Sequence, residues 1–130
     1  VKIGWLKSGP WDAFRDDIAG VVTAAGVPIK VMLELPLLTP EERRVAVELS
    51  IEAGAAYLKN ASSGAVETAN PASIAWLVKA AAGRALVKAS GSIKSLDQVR
   101  SLLEAGADLV GTSAGIQIVS DSATAATSSY

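Results

Sequence analysis

The chain has 130 residues, half of them hydrophobic, which is enough for one domain with a buried core. Its 12 basic and 13 acidic side chains give a net charge of -1, so the charge balance does not indicate binding to nucleic acid or to an anionic membrane. Because cysteine and histidine are both absent, disulfides, thiolate metal sites and histidine-based triads are excluded, and acid–base chemistry must use Lys, Asp, Glu, Tyr or water.

The first third of the chain predicts a strand, a helix and a second strand. Val1–Gly4 reads as the end of a strand that leads into a loop. Apolar residues recur at helical spacing over Trp11–Ala25, and Gly26 ends that helix. Ile29–Glu34 is a short apolar run of the kind that forms a buried strand.

The middle of the chain repeats this alternation. Thr39 is a favourable N-cap for a helix that extends to about Ala53, because a proline and a capping-box glutamate follow it. The next strand is Ala56–Lys59. A polar loop, Asn60–Asn70, separates this strand from a helix at Pro71–Ala82.

The last third predicts two more strands. Ala85–Lys88 is a strand, and Ser95 then caps a helix that runs from Leu96 to Ala105. Leu109–Thr112 is the final strand, and a short helix begins within Gly111–Ser122. The remaining residues, 123–130, are small and polar and are expected to form a flexible tail after a domain of residues 1–122.

Strands that alternate with helices predict parallel pairing with right-handed crossovers. The near-repeats EAGAAYLK at 52–59 and EAGADLVG at 104–111 each combine a helix end, a glycine and a buried strand. Such units build (β/α)8 barrels, which need about 250 residues. The predicted fold is therefore half of a (β/α)8 TIM barrel, with about five parallel strands alternating with helices.

A half barrel leaves one sheet face and two strand edges without partners. Two copies can close a barrel-like dimer, the strands can repack as an open doubly wound sheet of flavodoxin type, or another chain or a missing part of the sequence can supply the other half. We favour a homodimer or a larger homo-oligomer. The absence of a secretory signal pattern and of an apolar run near the roughly 20 residues of a membrane helix predicts a cytoplasmic protein that does not bind membranes.

Two lysines end strands in matching contexts. Lys59 closes AYLK and Lys88 closes ALVK, and a loop rich in serine and glycine follows each. The carboxyl ends of parallel strands form the ligand-binding face of such folds, so the two side chains are predicted to share one crevice. Only a neutral lysine is nucleophilic, and desolvation and a nearby cation both favour that form. The pair indicates Schiff-base chemistry that makes or breaks C–C bonds, whereas either lysine alone would be read as a strand-end residue reaching to water.

The loops after the last two strands have the composition of an anion site. Small residues ahead of a helix N-terminus expose backbone N–H groups, and the helix dipole favours negative charge there. Barrel enzymes often hold phosphate between the loops that follow their final strands. Ordinary turns share this composition, but beside the lysines the loops indicate a phosphorylated carbonyl substrate. The residues concerned are Ser90, Gly91, Ser92, Gly111, Thr112 and Ser113.

Five stretches, in the right order, resemble deoxyribose-phosphate aldolase, a class I aldolase family with a (β/α)8 barrel. They cover nearly the whole chain and correspond to the C-terminal half of that barrel. They are IGWLKSG at 3–9, IKVMLELPLLTPEE at 29–42, AGAAYLKNASSG at 53–64, LVKASGSIKS at 86–95 and EAGADLVGTSAG at 104–115. The chain ends in Ser-Ser-Tyr, as some family members do. The resemblance implies reversible cleavage of 2-deoxyribose 5-phosphate to acetaldehyde and glyceraldehyde 3-phosphate.

The resemblance also implies roles for single residues. Lys59 matches the lysine that forms the Schiff base, and Lys88 matches the lysine that lowers the pKa of the first and relays protons. Tyr130, at the end of the tail, would supply a proton to the enamine, although a frayed terminus is the alternative reading. The positions that contact phosphate are matched by Gly91, Ser92 and Ser113. No metal or organic cofactor is expected, because the lysine mechanism needs neither.

The sequence departs from the family pattern in several places. The family's proton-shuttling aspartate and its first three strands have no counterpart in the chain. The loop after Lys59 reads Asn-Ala-Ser-Ser-Gly in place of the commoner Thr-Ser-Thr-Gly, and Ser92 stands where glycine is usual. Three functions therefore stay open: an aldolase acting on 2-deoxyribose 5-phosphate or a related aldehyde, an enzyme doing other lysine iminium or acid–base chemistry in biosynthesis, and a non-catalytic half barrel for assembly or binding.

Overall fold

The computed structural model describes residues 1–120. A 3-10 turn, Leu35–Leu37, follows the first strand, and residues 115–120 are helical, as the sequence predicts. The predicted tail, including Tyr130, lies outside the described residues. In chain order the helices and strands are α1 (Ile3–Ser8), α2 (Trp11–Ala25), β1 (Lys30–Met32), α3 (Pro40–Glu52), β2 (Tyr57–Lys59), α4 (Pro71–Ala81), β3 (Leu86–Ser90), α5 (Leu96–Glu104) and β4 (Leu109–Gly111).

The strands form one parallel sheet in the order β1–β2–β3–β4, which is also their order along the chain. Right-handed crossovers between successive neighbours place the connecting helices on one face of such a sheet. The strand order does not reverse anywhere among residues 1–120, so the switch point of a doubly wound sheet is absent there. The sheet is therefore an arc of a barrel, and the flavodoxin-type alternative is wrong.

Alternation along the strands separates a packed face from an open one. The central residues Val31, Leu58 and Val87 are buried, and successive strand residues point to opposite faces. The helices cover the buried face, where Ile74 and Leu77 of α4 are fully enclosed. Strand residues on the other face are half-buried or exposed, except Ser90 at the end of β3, which is buried. This is the face that would line the inside of a barrel.

The helix boundaries follow from side-chain capping. In α3 the backbone N–H of Thr39 donates to Glu42 at 2.8 Å, and the N–H of Glu42 donates to the Thr39 hydroxyl at 3.2 Å. Ser95 and Gln98 form the same reciprocal box at the start of α5. Each such cap contributes about 1 kcal/mol, which explains why these two helices begin where the sequence predicts.

The amino-terminal prediction of a strand end at Val1–Gly4 is wrong, because Ile3–Ser8 is a helix. Ile3 and Leu6 are three residues apart, so a helix turns both inward, and Leu6 is buried in the core. The described residues thus contain four strands and not the predicted five.

Candidate active site

The sheet brings the two predicted lysines together. Lys59 of β2 and Lys88 of β3 are register partners, and both are half-buried on the face opposite the helices. Neighbouring strands lie about 4.8 Å apart, so two side chains at the same register and on the same face are close neighbours. The crevice that the sequence analysis predicts from two strand-end lysines therefore exists, at the carboxyl end of the sheet.

The amine of Lys59 has an environment that favours its neutral form. Its Nζ lies 3.5 Å from the Ser62 carbonyl oxygen and 3.9 Å from the sulfur of Met32, its register partner on β1. Partial burial lowers the pKa of Lys59, and the positive charge of Lys88 lowers it further. The carboxylate of Glu34 acts in the opposite direction on that pKa. The lowered pKa increases the fraction of nucleophilic amine at neutral pH.

Glu34 is a site residue that the sequence analysis did not single out. Both of its carboxylate oxygens accept from the backbone N–H of Ser62, at 3.1 Å each, so the side chain holds the loop that follows β2. Its backbone has a φ of 57°, in the left-handed region that costs a non-glycine residue energy. An acid inside the apolar run LELPL is the signal that would have found it.

A cleft of about 460 Å³ opens beside the lysines. It lies at the carboxyl ends of β2, β3 and β4, which is where parallel α/β folds bind their ligands. Lys94 also lines it, a third cation that the sequence analysis did not select. Both predicted lysines line the cleft together with the predicted loop residues Ser90, Gly91, Ser92, Gly111, Thr112 and Ser113.

Two loops approach each other closely on one side of the cleft. Gly91 has a φ of 124°, and a Cβ there would overlap the carbonyl oxygen of Glu67. A Cβ on Gly64 would overlap the side chain of Ser92. Ser92 itself has a φ of 51°, a conformation that glycine adopts more readily. The departure from the family pattern at Ser92 is therefore accommodated with backbone strain.

The loop after β4 contributes to the cleft in two ways. A Cβ on Gly111 would lie 2.7 Å from Cε of Lys88, so this glycine makes room for the second lysine. The hydroxyl of Thr112 donates to the Ile93 carbonyl at 2.6 Å and accepts from the N–H of Ala114 at 2.9 Å. Because a hydroxyl has one proton, the Thr112 side chain has no donor left for an anion. Thr112 therefore joins the two loops, and its side chain does not add a donor to the cleft.

The described residues do not offer a metal site of the usual kind. Within residues 1–120 no three His, Cys, Asp or Glu side chains are grouped so that they could hold an ion. Over the same range, no helix has the length and apolar character that a membrane span requires.

Comparison with known proteins identifies relatives of this fold and site. No protein-family model matches the chain. Deoxyribose-phosphate aldolase of Methanothermobacter thermautotrophicus is 42% identical over 120 residues, which are 92% of this chain and 54% of that protein.

Two solved structures match as well. An aldolase named QR15 superposes with a TM-score of 0.89 and 32% identity, covering 98% of this chain and 58% of its own. The deoxyribose-phosphate aldolase of Aeropyrum pernix, described as having a unique tetrameric structure, matches with a TM-score of 0.78 and 30% identity over 85% of this chain and 49% of its own. The chain thus spans about half the length of the relatives it matches. The predicted family resemblance and half-barrel fold are confirmed, and the chain is a homologue of the deoxyribose-phosphate aldolases over about half of their barrel.

Proposed function

We propose that this chain carries the Schiff-base machinery of a class I aldolase of the deoxyribose-phosphate type. The reaction is the reversible cleavage of 2-deoxyribose 5-phosphate to acetaldehyde and glyceraldehyde 3-phosphate, or the corresponding cleavage of a related aldehyde. The observation that carries the proposal is the register pair of Lys59 and Lys88, in which burial and a neighbouring cation lower the pKa of the Lys59 amine.

Lys59 is the nucleophile in this proposal. Its neutral amine adds to the aldehyde carbon of the open-chain sugar, and loss of water gives an iminium. A base removes the proton of the C3 hydroxyl, the C2–C3 bond breaks, and its electron pair forms an enamine while glyceraldehyde 3-phosphate leaves. Protonation of the enamine carbon and addition of water then release acetaldehyde and regenerate the amine. Lys88 keeps Lys59 neutral and relays these protons, and Tyr130 supplies the proton to the enamine carbon.

The phosphate of the substrate belongs in the cleft beside the lysines. The loops after β3 and β4 supply small residues at the carboxyl end of the sheet, with Lys94 as an additional cation. In the proposal the contacts come from Gly91, Ser92, Gly111 and Ser113. For Thr112, whose hydroxyl proton is engaged, the only donor that remains is its backbone N–H.

Self-association completes the proposal. The inner face of the sheet is open, and both β1 and β4 are edge strands within residues 1–120. A homologous aldolase is described as tetrameric. We therefore expect a homodimer or a larger homo-oligomer, located in the cytoplasm and acting on a small aldehyde or sugar phosphate.

A second candidate is lysine iminium chemistry on a different carbonyl compound. The strained Ser92, where the family usually has glycine, favours it because this residue lines the proposed phosphate cleft. A substrate panel separates the two candidates, since the aldolase reaction depends on the phosphate group. A non-catalytic half barrel is the outcome if no carbonyl compound reacts.

The decisive experiment is borohydride trapping followed by intact mass measurement. The chain is incubated with acetaldehyde and sodium borohydride, and the expected product carries one N-ethyl group. Lys59→Met keeps an unbranched side chain without the amine and is expected to abolish the adduct. Lys30→Met is the matched control, because Lys30 lies on the same face of β1, against the Tyr57 ring. An adduct that survives in Lys59→Met, or none in the folded wild-type chain, would refute the proposal.

A further inference from the structure

A buried side-chain amide connects the two lysine-bearing strands in addition to the backbone hydrogen bonds between them. Asn60 directly follows Lys59 and is fully buried, with no exposed surface. A buried amide is costly unless its donors and its acceptor are all paired, so the partners of Asn60 are informative. Its neighbours lie at the ends of β1 and β3 and in the loop that follows β2.

The side chain of Asn60 bonds both backbone groups of Ser90, in the way that the backbone of a neighbouring strand would. Its Oδ1 accepts from the N–H of Ser90 at 2.9 Å, and its Nδ2 donates to the carbonyl of Ser90 at 2.9 Å. The backbone carbonyl of Asn60 accepts from the N–H of Leu35, just beyond β1, at 3.0 Å. Three strand ends are therefore joined through one residue.

The second proton of the amide extends the network to the cleft. Nδ2 also donates to the carboxylate of Glu67 at 2.7 Å, so every donor of the side chain is used. The backbone of Glu67 packs against Gly91, and the N–H of Ala69 donates to the Gly91 carbonyl at 2.9 Å. Gly91 is thus held from two directions, through its neighbour Ser90 and through the segment 67–69.

We infer that Asn60 is a positioning residue that sets the distance between the Lys59 amine and the loop Gly91–Ser92, and that it thereby selects phosphorylated aldehydes over unphosphorylated ones. This inference rests on the proposed function. Asn60 lies next to the nucleophile in sequence and next to the anion loop in space, so a change in its bonds moves one relative to the other. A displacement of the loop weakens a contact to the phosphate without removing the amine.

The test is Asn60→Asp, which keeps the shape but removes both donors and places a carboxylate against the Ser90 carbonyl and the Glu67 carboxylate. The readout is the concentration of sugar that gives half-maximal borohydride trapping at Lys59, measured with 2-deoxyribose 5-phosphate and with 2-deoxyribose. We expect this concentration to rise about tenfold for the phosphorylated sugar, as for the loss of one hydrogen bond to a charged group, and less than about twofold for the other.

Asn70→Asp is the matched control. It makes the same change in the same loop, where Asn70 is exposed and an aspartate still accepts the capping bond from the N–H of Ser73. Asn70 also donates to the other carboxylate oxygen of Glu67 at 3.4 Å, so this variant disturbs Glu67 while it keeps the Asn60–Ser90 pairing, and a smaller shift than in Asn60→Asp is expected. Asn60→Ala, which removes the amide altogether, provides a second variant that carries no added charge. It is expected to shift selectivity in the same direction, and by less.

Four results would overturn the inference. They are unchanged selectivity in folded Asn60→Asp, unchanged selectivity in folded Asn60→Ala, an equal shift in Asn70→Asp, and an equal loss of trapping for both sugars. Failure of the wild-type chain to trap acetaldehyde would instead refute the proposed function itself.

Discussion

Lys59 and Lys88 face each other across neighbouring parallel strands, and burial together with the charge of Lys88 lowers the pKa of Lys59. The same pKa is raised by Glu34, which lies beyond the end of β1 on the other side of β2. The reactivity of the nucleophile is therefore adjusted by one charge of each sign. Replacing either neighbour should move the pH dependence of Schiff-base formation, and the two replacements should move it in opposite directions.

Replacing Lys88 with methionine should raise the pKa of Lys59. The substitution removes a cation that disfavours the protonated amine, so a higher pH is needed for the same neutral fraction. The pH at half-maximal trapping of acetaldehyde is expected to move upward, and the rate at neutral pH to fall several-fold. Lys79→Met on the outer helix α4 is the control and should leave the pH dependence of trapping unchanged. A downward shift in Lys88→Met would contradict the coupling.

Glu34→Gln should have the opposite effect. The carboxylate of Glu34 stabilises the Lys59 ammonium, so neutralising it lowers the pKa of Lys59 and moves the half-maximal pH of trapping downward. The substituted side chain can still accept from the N–H of Ser62 through its amide oxygen, so the loop keeps an anchor. Glu41→Gln, at the exposed start of α3, is the control. An unchanged profile for Glu34→Gln would mean that this carboxylate does not influence the amine.

Gly91→Ala should destabilise the protein more than Gly83→Ala. Both glycines have positive φ, at 124° and 74°, so each alanine bears a conformational cost of roughly 1–2 kcal/mol. Only at Gly91 would the new Cβ also overlap a backbone atom, the carbonyl oxygen of Glu67, whereas nothing lies within 4 Å at Gly83. Urea unfolding is expected to give a free energy of unfolding about 1–3 kcal/mol lower for Gly91→Ala than for Gly83→Ala. Equal losses of stability in the two variants would show that the loop around Gly91 moves aside for the new Cβ at no free-energy cost.

Sequence patterns predicted most of this fold because its elements follow local rules. The capping box at Thr39 and the glycine at Gly26 mark helix ends through interactions within a few residues. Lys59 and Lys88 could be paired in advance because parallel strands align their carboxyl ends, whatever the details of packing. The segment Val1–Gly4 was predicted wrongly because a short apolar run suits a strand or a helix equally, and the helical spacing of Ile3 and Leu6 packs both against the core.

The features that could not be predicted depend on contacts between distant parts of the chain. The bonds of Asn60 to Ser90 span thirty residues, and no local pattern distinguishes this asparagine from the polar residues around it. The close approach of Gly111 to Lys88 likewise appears only when β3 and β4 pair. The bond from the Thr112 hydroxyl to the Ile93 carbonyl could not be predicted either, because its acceptor lies in another loop.

The open face of the sheet leads to the last prediction, which concerns assembly. Leu86 and Leu109 are 43% and 38% exposed and lie on the inner face with the lysines, where a closed barrel would cover them. Apolar side chains exposed together favour association, so the chain should sediment as a dimer or larger species. Leu109→Glu is expected to raise the dissociation constant by at least about tenfold, because the glutamate would be buried in the contact. Val27→Glu, a 62% exposed position in the loop before β1, is the control and should not change the assembly. A wild-type chain that stays monomeric at high concentration, or equal weakening by both variants, would show that this face is not the interface.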